Sequence, residues 1–270
     1  MSLDDHATLS RLAHSLPRPL ARDIAPVLAF TGHVREIVQH ARGDPLAQLH
    51  RLRLDLDAIA AGTRPAPPPC AALASVIERR SLPLEPLRDL LVAACDDLTT
   101  ARYGSFGELM VHARRAANPI GRLVLHLCNA ASPRHLALSD GLCCGLWLTC
   151  MLRDVPRDFE QGRLYLPLED LARYRVVDTQ IAARQATGGW RALMMFEIER
   201  ARKMLQAGAP LGRILQGRVG FDARLLVVGG ERVQQKLHEM QGDVFTRRPE
   251  IDKRDWPYLL GRALIPSYRP

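Results

Sequence analysis

The sequence predicts an all-α protein, and three observations carry that reading. Apolar residues recur at three- and four-residue intervals through most of the chain, the spacing of helices with one buried face. Ala, Leu and Arg abound while aromatic residues make up only 5%, a balance that favours helix. Runs of alternating β-branched residues are nearly absent. At 270 residues and 47% hydrophobic content the chain can bury a sizeable core, as one large domain or two small ones.

The elements follow in order. Residues 1–15 read as a short N-terminal lead, punctuated by Pro17-Arg18-Pro19, and 16–266 as one helical domain. Ile24, Val27, Leu28, Val34, Ile37 and Val38 predict a helix over 20–42, closed by Gly43-Asp44-Pro45. Leu46, Leu49, Leu52, Leu56 and Ile59 form the stripe of a second helix over 46–61. The Pro-rich stretch 63–69 cannot propagate a helix and reads as an extended loop. Helices are expected at 70–80, 84–101 and 105–130, with Pro119 kinking the last or starting its final portion. A helix over 134–158 follows, then a short turn or helix at Glu169–Tyr174. Long helices are expected over 178–207, with Gly188-Gly189 as a weak point, and over 211–240, with another at Gly217 and Gly220. A basic stretch at 247–254 precedes a last helix at 255–264.

The chemistry concentrates at 145–167, where an apolar segment runs into Asp154 and Asp158. Their i, i+4 spacing puts both carboxylates on one helix face, near enough to share a cation. Hard oxygen ligands suit magnesium, which bridges one or two carboxylates to substrate phosphates. Acidic pairs at this spacing are also common on solvated helix faces. Two details favour a site. The preceding segment is too apolar for a surface helix, and Gly162-Arg163-Leu164-Tyr165-Leu166-Pro167 sets a cation and a phenol beside the acids. Pro156 lies between the two carboxylates, so a bend there would alter their separation.

Residues 153–167, Arg-Asp-x-x-x-Asp-Phe-Glu-x-Gly-Arg-x-Tyr-Leu-Pro, resemble the second aspartate-rich motif of the squalene/phytoene synthases, the head-to-head prenyl synthases. Arg102-Tyr103 with Phe106, Glu108 and Leu109 is a second match, and 114–127, with Ala117-Asn118-Pro119-Ile120-Gly121, a third. The Ala-Asn-Pro-hydrophobic-Gly form, with 243–249 and 253–256, is most similar to the hydroxysqualene synthase branch of hopanoid biosynthesis. The likeness covers about Leu16 to Leu264. It implies an isoprenoid synthase bundle around a central apolar cavity. The implied reaction is loss of diphosphate from presqualene diphosphate and capture of the cation by water, giving hydroxysqualene. Asp154 and Asp158 would hold magnesium, and Tyr165, Arg153 and Arg163 would take up charge on the leaving group. Asn118 and Gly121 would sit at a bend lining the prenyl cavity, walled by Leu123, Leu127, Leu142, Leu146 and Leu148. No nicotinamide motif occurs, which fits water rather than hydride from NADPH as the last nucleophile.

The chain departs from the family at 29–39. Gly32 stands for an expected arginine, and Arg35, Glu36 and Gln39 stand for three expected aspartates. Cys150 replaces a usual metal-binding Asn, Trp147 lies near a usual Gln, and His112 replaces a common Tyr. Fewer magnesium ions should therefore bind, and Arg35 can pair with phosphate oxygens bidentately. Three readings stay open: a diphosphate-processing transferase or lyase of this type, a phytoene or squalene synthase proper, and a non-catalytic protein that binds a prenyl compound or a partner synthase.

The net charge is +8. Nucleic-acid binding is one reading of that balance, an anionic membrane surface or a diphosphate explains it equally well, and a solvated basic surface is the plain alternative. Nucleic acid is disfavoured, because no zinc-finger spacing or aromatic RNA-binding signature is present. Six cysteines form no Cys-x-x-Cys pair and lie in apolar helical context, which points to buried thiols in a reducing cytoplasm. Cys143 and Cys144 should point in different directions and bind no metal together. Met1 to Ser10 lacks the apolar core of a signal peptide, and no stretch of about 18 uninterrupted apolar residues predicts a span. The expected location is cytoplasmic, with peripheral contact at the inner membrane face where a polyisoprenoid would partition.

Overall fold

Among the residues that the computed structural model describes, 18–63 and 70–265, twelve helices form. They are α1 (Arg18–His40), α2 (Pro45–Ala61), α3 (Cys70–Arg80), α4 (Glu85–Thr99), α5 (Phe106–Leu127), α6 (Pro133–Glu160), α7 (Leu168–Arg173), α8 (Asp178–Ala182), α9 (Trp190–Gly208), α10 (Leu211–Ile214), α11 (Gly217–Glu239) and α12 (Trp256–Ala263). Among the described residues there is no strand, only an isolated bridge between Arg102 and Leu164. The expected lead at 1–15 and positions 64–69 of the Pro-rich loop lie outside the described residues.

Local chemistry explains several boundaries. Asp44 caps α2 by accepting from the backbone N–H of Leu46 and Ala47, and Gly62 ends it in the left-handed region. Ser105 caps α5 through Glu108 N, while the Glu108 carboxylate reaches back to Gly104 N. Ser132 and Pro133 start α6. Pro119 and Pro156 both sit inside continuous helices. Each removes one backbone bond, and tertiary packing holds the helix through it. The helix expected over 178–207 divides into α8 and α9. The Gln180 amide donates to the carbonyls of Gln185 and Thr187, and Arg184 takes a positive φ, which fixes a loop between them. The helix expected over 211–240 likewise divides into α10 and α11, with Leu215 extended at the break.

The long helix α6 is the hub, packing on α5 and most extensively on α9. Close approach to α9 depends on two glycines. A Cβ on Gly145 would lie 2.4 Å from Leu205 N, and one on Gly208 would lie 2.1 Å from Leu142 N. One core joins α1–α4 with Leu123 and Leu127 of α5, and a second joins α5, α6, α9 and α11. By length and composition α6 would also qualify to cross a membrane, but half of its apolar window is buried inside the helical packing.

Two irregular segments complete the end of α6. Gly162 turns the chain back at φ 78°, and Leu164 N and Leu168 N donate to the carbonyls of Ala101 and Tyr103. Residues 163–165 are thereby laid beside the end of α4. Beyond α11, Trp190 Nε1 donates to Gly242 O, and Lys236 Nζ donates to Glu250 O and to Asp255 Oδ2. These bonds tether residues 242–255, and Arg248 in that segment reaches Asp154.

Candidate functional site

One face of α6 lines a cavity of about 470 Å³ through Ser139, Leu142, Cys143, Leu146, Trp147, Cys150, Met151, Asp154 and Asp158. This is the i, i+3, i+4 pattern carried over five turns, about 28 Å at 1.5 Å per residue. Pro156 therefore does not separate the two acids: both remain on the cavity face. Opposite walls come from α1 (Ile24, Leu28, Thr31, Gly32, Arg35, Gln39), α4 (Leu90, Ala93, Ala94, Asp97) and α5 (Ala117, Ile120, Gly121, Val124). Leu211, Leu215 and Leu226 enclose the cavity beside the N-terminal half of α6. Along α6 the wall is mainly apolar until Met151 and charged beyond it. The size is that of a preformed ligand site, and the length suits an extended apolar tail.

The charged end is built by several segments. Asp154 is held on both oxygens. Arg153 donates to Oδ1 at 3.0 Å and to Oδ2 at 2.5 Å, and Arg248 donates to Oδ1 at 2.6 Å. Arg153 is 1% exposed and lies behind Asp154 rather than on the wall. From α4, Asp97 Oδ1 accepts from Tyr165 Oη at 2.6 Å and lies 3.2 Å from His112 Nε2. Tyr165 stacks with Tyr103 and His112 and meets Trp147 edge-on, so the phenol is fixed by packing as well as by its bond. Arg157, Gln161 and Arg163 also face the cavity, and Arg163 donates to the Gln161 amide oxygen.

Electrostatics separates the two acids of α6. Burial alone would raise the Asp154 carboxyl, but hydrogen bonds and charge from Arg153 and Arg248 hold it below the usual range. Burial pushes Asp158 up to about 7, reinforced by the Asp154 and Asp97 charges and only partly offset by Arg163 and Arg157. Burial raises the Cys143 thiol to about 11, so it faces the cavity as a neutral group.

A family model described as squalene/phytoene synthase matches residues 6–255. The chain belongs to the squalene/phytoene synthase family. Phytoene synthase of Arthrospira platensis is 32% identical over 224 residues, covering 78% of this chain and 72% of that protein. The crystal structure of squalene synthase HpnC from Alicyclobacillus acidocaldarius aligns with a TM-score of 0.81 at 29% identity, over 86% of this chain and 88% of that one. A dehydrosqualene synthase aligns with a TM-score of 0.80 at 20% identity, over 94% of this chain and 89% of that one, which shows the fold alone. The all-α isoprenoid synthase bundle is therefore established, and the relatives are prenyltransferase-type synthases.

Of the residues singled out from the sequence, Asp154, Asp158, Tyr165, Arg163, Arg35, Gly121 and Leu146 line the cavity together. Others are placed elsewhere. Leu123 and Leu127 point into the α1–α4 core, because the cavity face of α5 is the 117, 120, 121, 124 stripe. Leu148 likewise belongs to the core shared with α9 and α11. Asn118 is buried and accepts from the Cys144 thiol at 3.2 Å, which ties α5 to α6. Gly121 is needed for the same approach, since a Cβ there would lie 2.3 Å from Ser139 Oγ. Cys143 and Cys144 do diverge, one to the cavity and one to Asn118. All six cysteines are free. Asp97 and Arg248 were missed as site residues. Asp97 could have been found as the polar member of the Leu90, Ala93, Ala94 stripe, whereas nothing local links Arg248 to a carboxylate 94 positions earlier.

Magnesium, which the family likeness implies, meets a donor set that does not fit a metal cluster. Both Asp154 oxygens are engaged by guanidiniums, and the cavity face of α1 offers no carboxylate. Among the described residues no three His, Cys, Asp or Glu side chains are grouped to hold an ion.

Proposed function

We propose that this protein processes a prenyl diphosphate, with presqualene diphosphate as substrate and hydroxysqualene as product. The observation that carries the reading is the single face of α6, oily from Leu142 to Met151 and ending at Asp154 and Asp158. An amphiphile with a long apolar tail and an anionic head matches that division.

On this reading the isoprenoid tails lie along α6 and the diphosphate rests at the mouth against Arg35, Arg157 and Arg163. Heterolysis of the carbon–oxygen bond sends the electron pair to the departing diphosphate, and these guanidiniums stabilise the developing charge. Leu142, Leu146, Val124 and Ile120 keep water away from the allylic and cyclopropylcarbinyl cations until rearrangement is complete. Water then adds through oxygen and loses one proton. Tyr165, bonded to Asp97, is the rigid polar group beside that event. The test incubates purified protein with presqualene diphosphate and identifies products by mass spectrometry, with farnesyl and geranylgeranyl diphosphate in parallel. Hydroxysqualene is the expected product. Squalene or phytoene would move the protein to a sister reaction, and no turnover beside an active control would remove the catalytic reading.

A further inference from the structure

We propose that guanidinium groups hold the diphosphate head in this protein in place of magnesium, with Arg35, Arg157 and Arg163 as the set that faces the ligand. The inference rests on the reading that a prenyl diphosphate is the ligand. It adds how the head is bound.

Three observations lead to it. Cations line the same cavity from separate segments: Arg35 on α1, Arg157 on α6 and Arg163 on the returning chain. A planar guanidinium can meet phosphate oxygens with two parallel N–H bonds, and cations on facing walls can grip both ends of a diphosphate. Second, the positive charge that a metal would bring to Asp154 is already supplied by the chain. Arg153 and Arg248 bond its two oxygens at 2.5–3.0 Å, so an ion there would share the carboxylate with two guanidiniums whose charges oppose it. Third, the α1 wall presents Thr31, Gly32, Arg35 and Gln39 to the cavity, while Glu36 is exposed and does not line it. A metal bridged between two helices needs oxygen ligands on both walls, and this wall carries a cation and neutral groups.

Asp97, Asp154, Asp158 and Asp222 all line this cavity; guanidiniums pair with Asp154 and Asp222, while Asp158 and Asp97 would repel an anion. Arg157 and Arg163 lie close enough to act on the Asp158 charge, and Asp97 Oδ1 is engaged by Tyr165 and His112. The two designs therefore predict opposite roles for Asp158. A metal site needs it, whereas an arginine site binds better without it.

The test is calorimetric titration of the full-length protein with farnesyl thiolodiphosphate, which reports binding without turnover, in EDTA and in millimolar magnesium. The expected dissociation constants agree within about threefold, and Arg35→Gln weakens binding in EDTA by about tenfold or more. Arg35→Lys, which keeps the charge and loses the fork, falls between the two. Asp158→Asn binds as tightly as the wild type or more tightly. Loss of binding in EDTA, a weaker Asp158→Asn complex, or no binding in either buffer would overturn the inference. Turnover of presqualene diphosphate is scored separately. EDTA-resistant binding without turnover leaves this inference standing and sinks the reaction, and magnesium-dependent turnover with EDTA-sensitive binding does the reverse.

Discussion

Two consecutive turns at the end of α6 carry one carboxylate each, on the same face, in opposite surroundings. The turn of Asp154 is met by Arg153 from its own helix and Arg248 from the segment beyond α11. The turn of Asp158 is met by the Asp154 charge and by Asp97 from α4, with Arg163 and Arg157 as partial offsets. Sequence spacing makes the two acids equivalent. Distant segments make one a structural anion and the other a strained one. The largest effect expected follows from this. Asp154→Asn leaves Arg153, whose side chain is fully buried, without its anion, and breaking a buried pair costs about 3 kcal/mol. Chemical denaturation should show that loss. A change under about 0.5 kcal/mol would mean that Arg153 is balanced elsewhere and that the contrast between the turns is superficial.

Asp158→Asn should act in the opposite direction. The folded carboxyl sits at about 7, above the value near 3.9 of an unfolded chain. Between those values the native state binds more protons than the unfolded state, so stability falls as pH rises. The penalty is absent below about pH 4 and complete above about pH 7. Replacing the acid with its amide removes it, so the variant is the more stable protein at pH 8 and loses that gain at pH 4. Asp154 titrates with the opposite sign. Its folded carboxyl is depressed, so its contribution is present above the unfolded value and is lost as pH falls below about 4. Thermal melts of wild type and Asp158→Asn across pH 4–8 would sharpen the comparison. A constant difference between them would show that Asp158 does not titrate in this window.

The difference between the two acids also marks how far the sequence was legible. The helical class and most helix ends were readable because caps, prolines and apolar stripes are local signals, as at Asp44 and Ser132. The 153–167 motif placed Asp154, Asp158, Arg163 and Tyr165 on one cavity. Local signals failed where register had to be chosen. On α5, Leu123 and Ile120 are equally apolar, yet one packs on the α1–α4 core and the other on the cavity. They also failed at long range. Asp97 reaches Tyr165 across 68 positions only because Gly162 turns the chain back beside residues 101–104. Arg153, read as a ligand contact, proved to be a buried support for its neighbour.

The smallest effect separates the two guanidiniums on Asp154. Arg248 is about one third exposed, whereas the Arg153 side chain is fully buried. Water screens the first pair and leaves the second in a low dielectric. Arg248→Gln should therefore cost only about 1 kcal/mol, within the range of a partly exposed ion pair. A double-mutant cycle with Asp154→Asn tests whether that cost belongs to the contact. If Arg248 acts through Asp154, its substitution in the Asp154→Asn background costs close to nothing, and the coupling energy matches the single-mutant loss. If the cost persists there, Arg248 supports the 242–255 segment through Glu250, with which it also pairs, and Asp154 relies on Arg153 alone. Added salt discriminates further, because a screened pair weakens with ionic strength and a buried one does not.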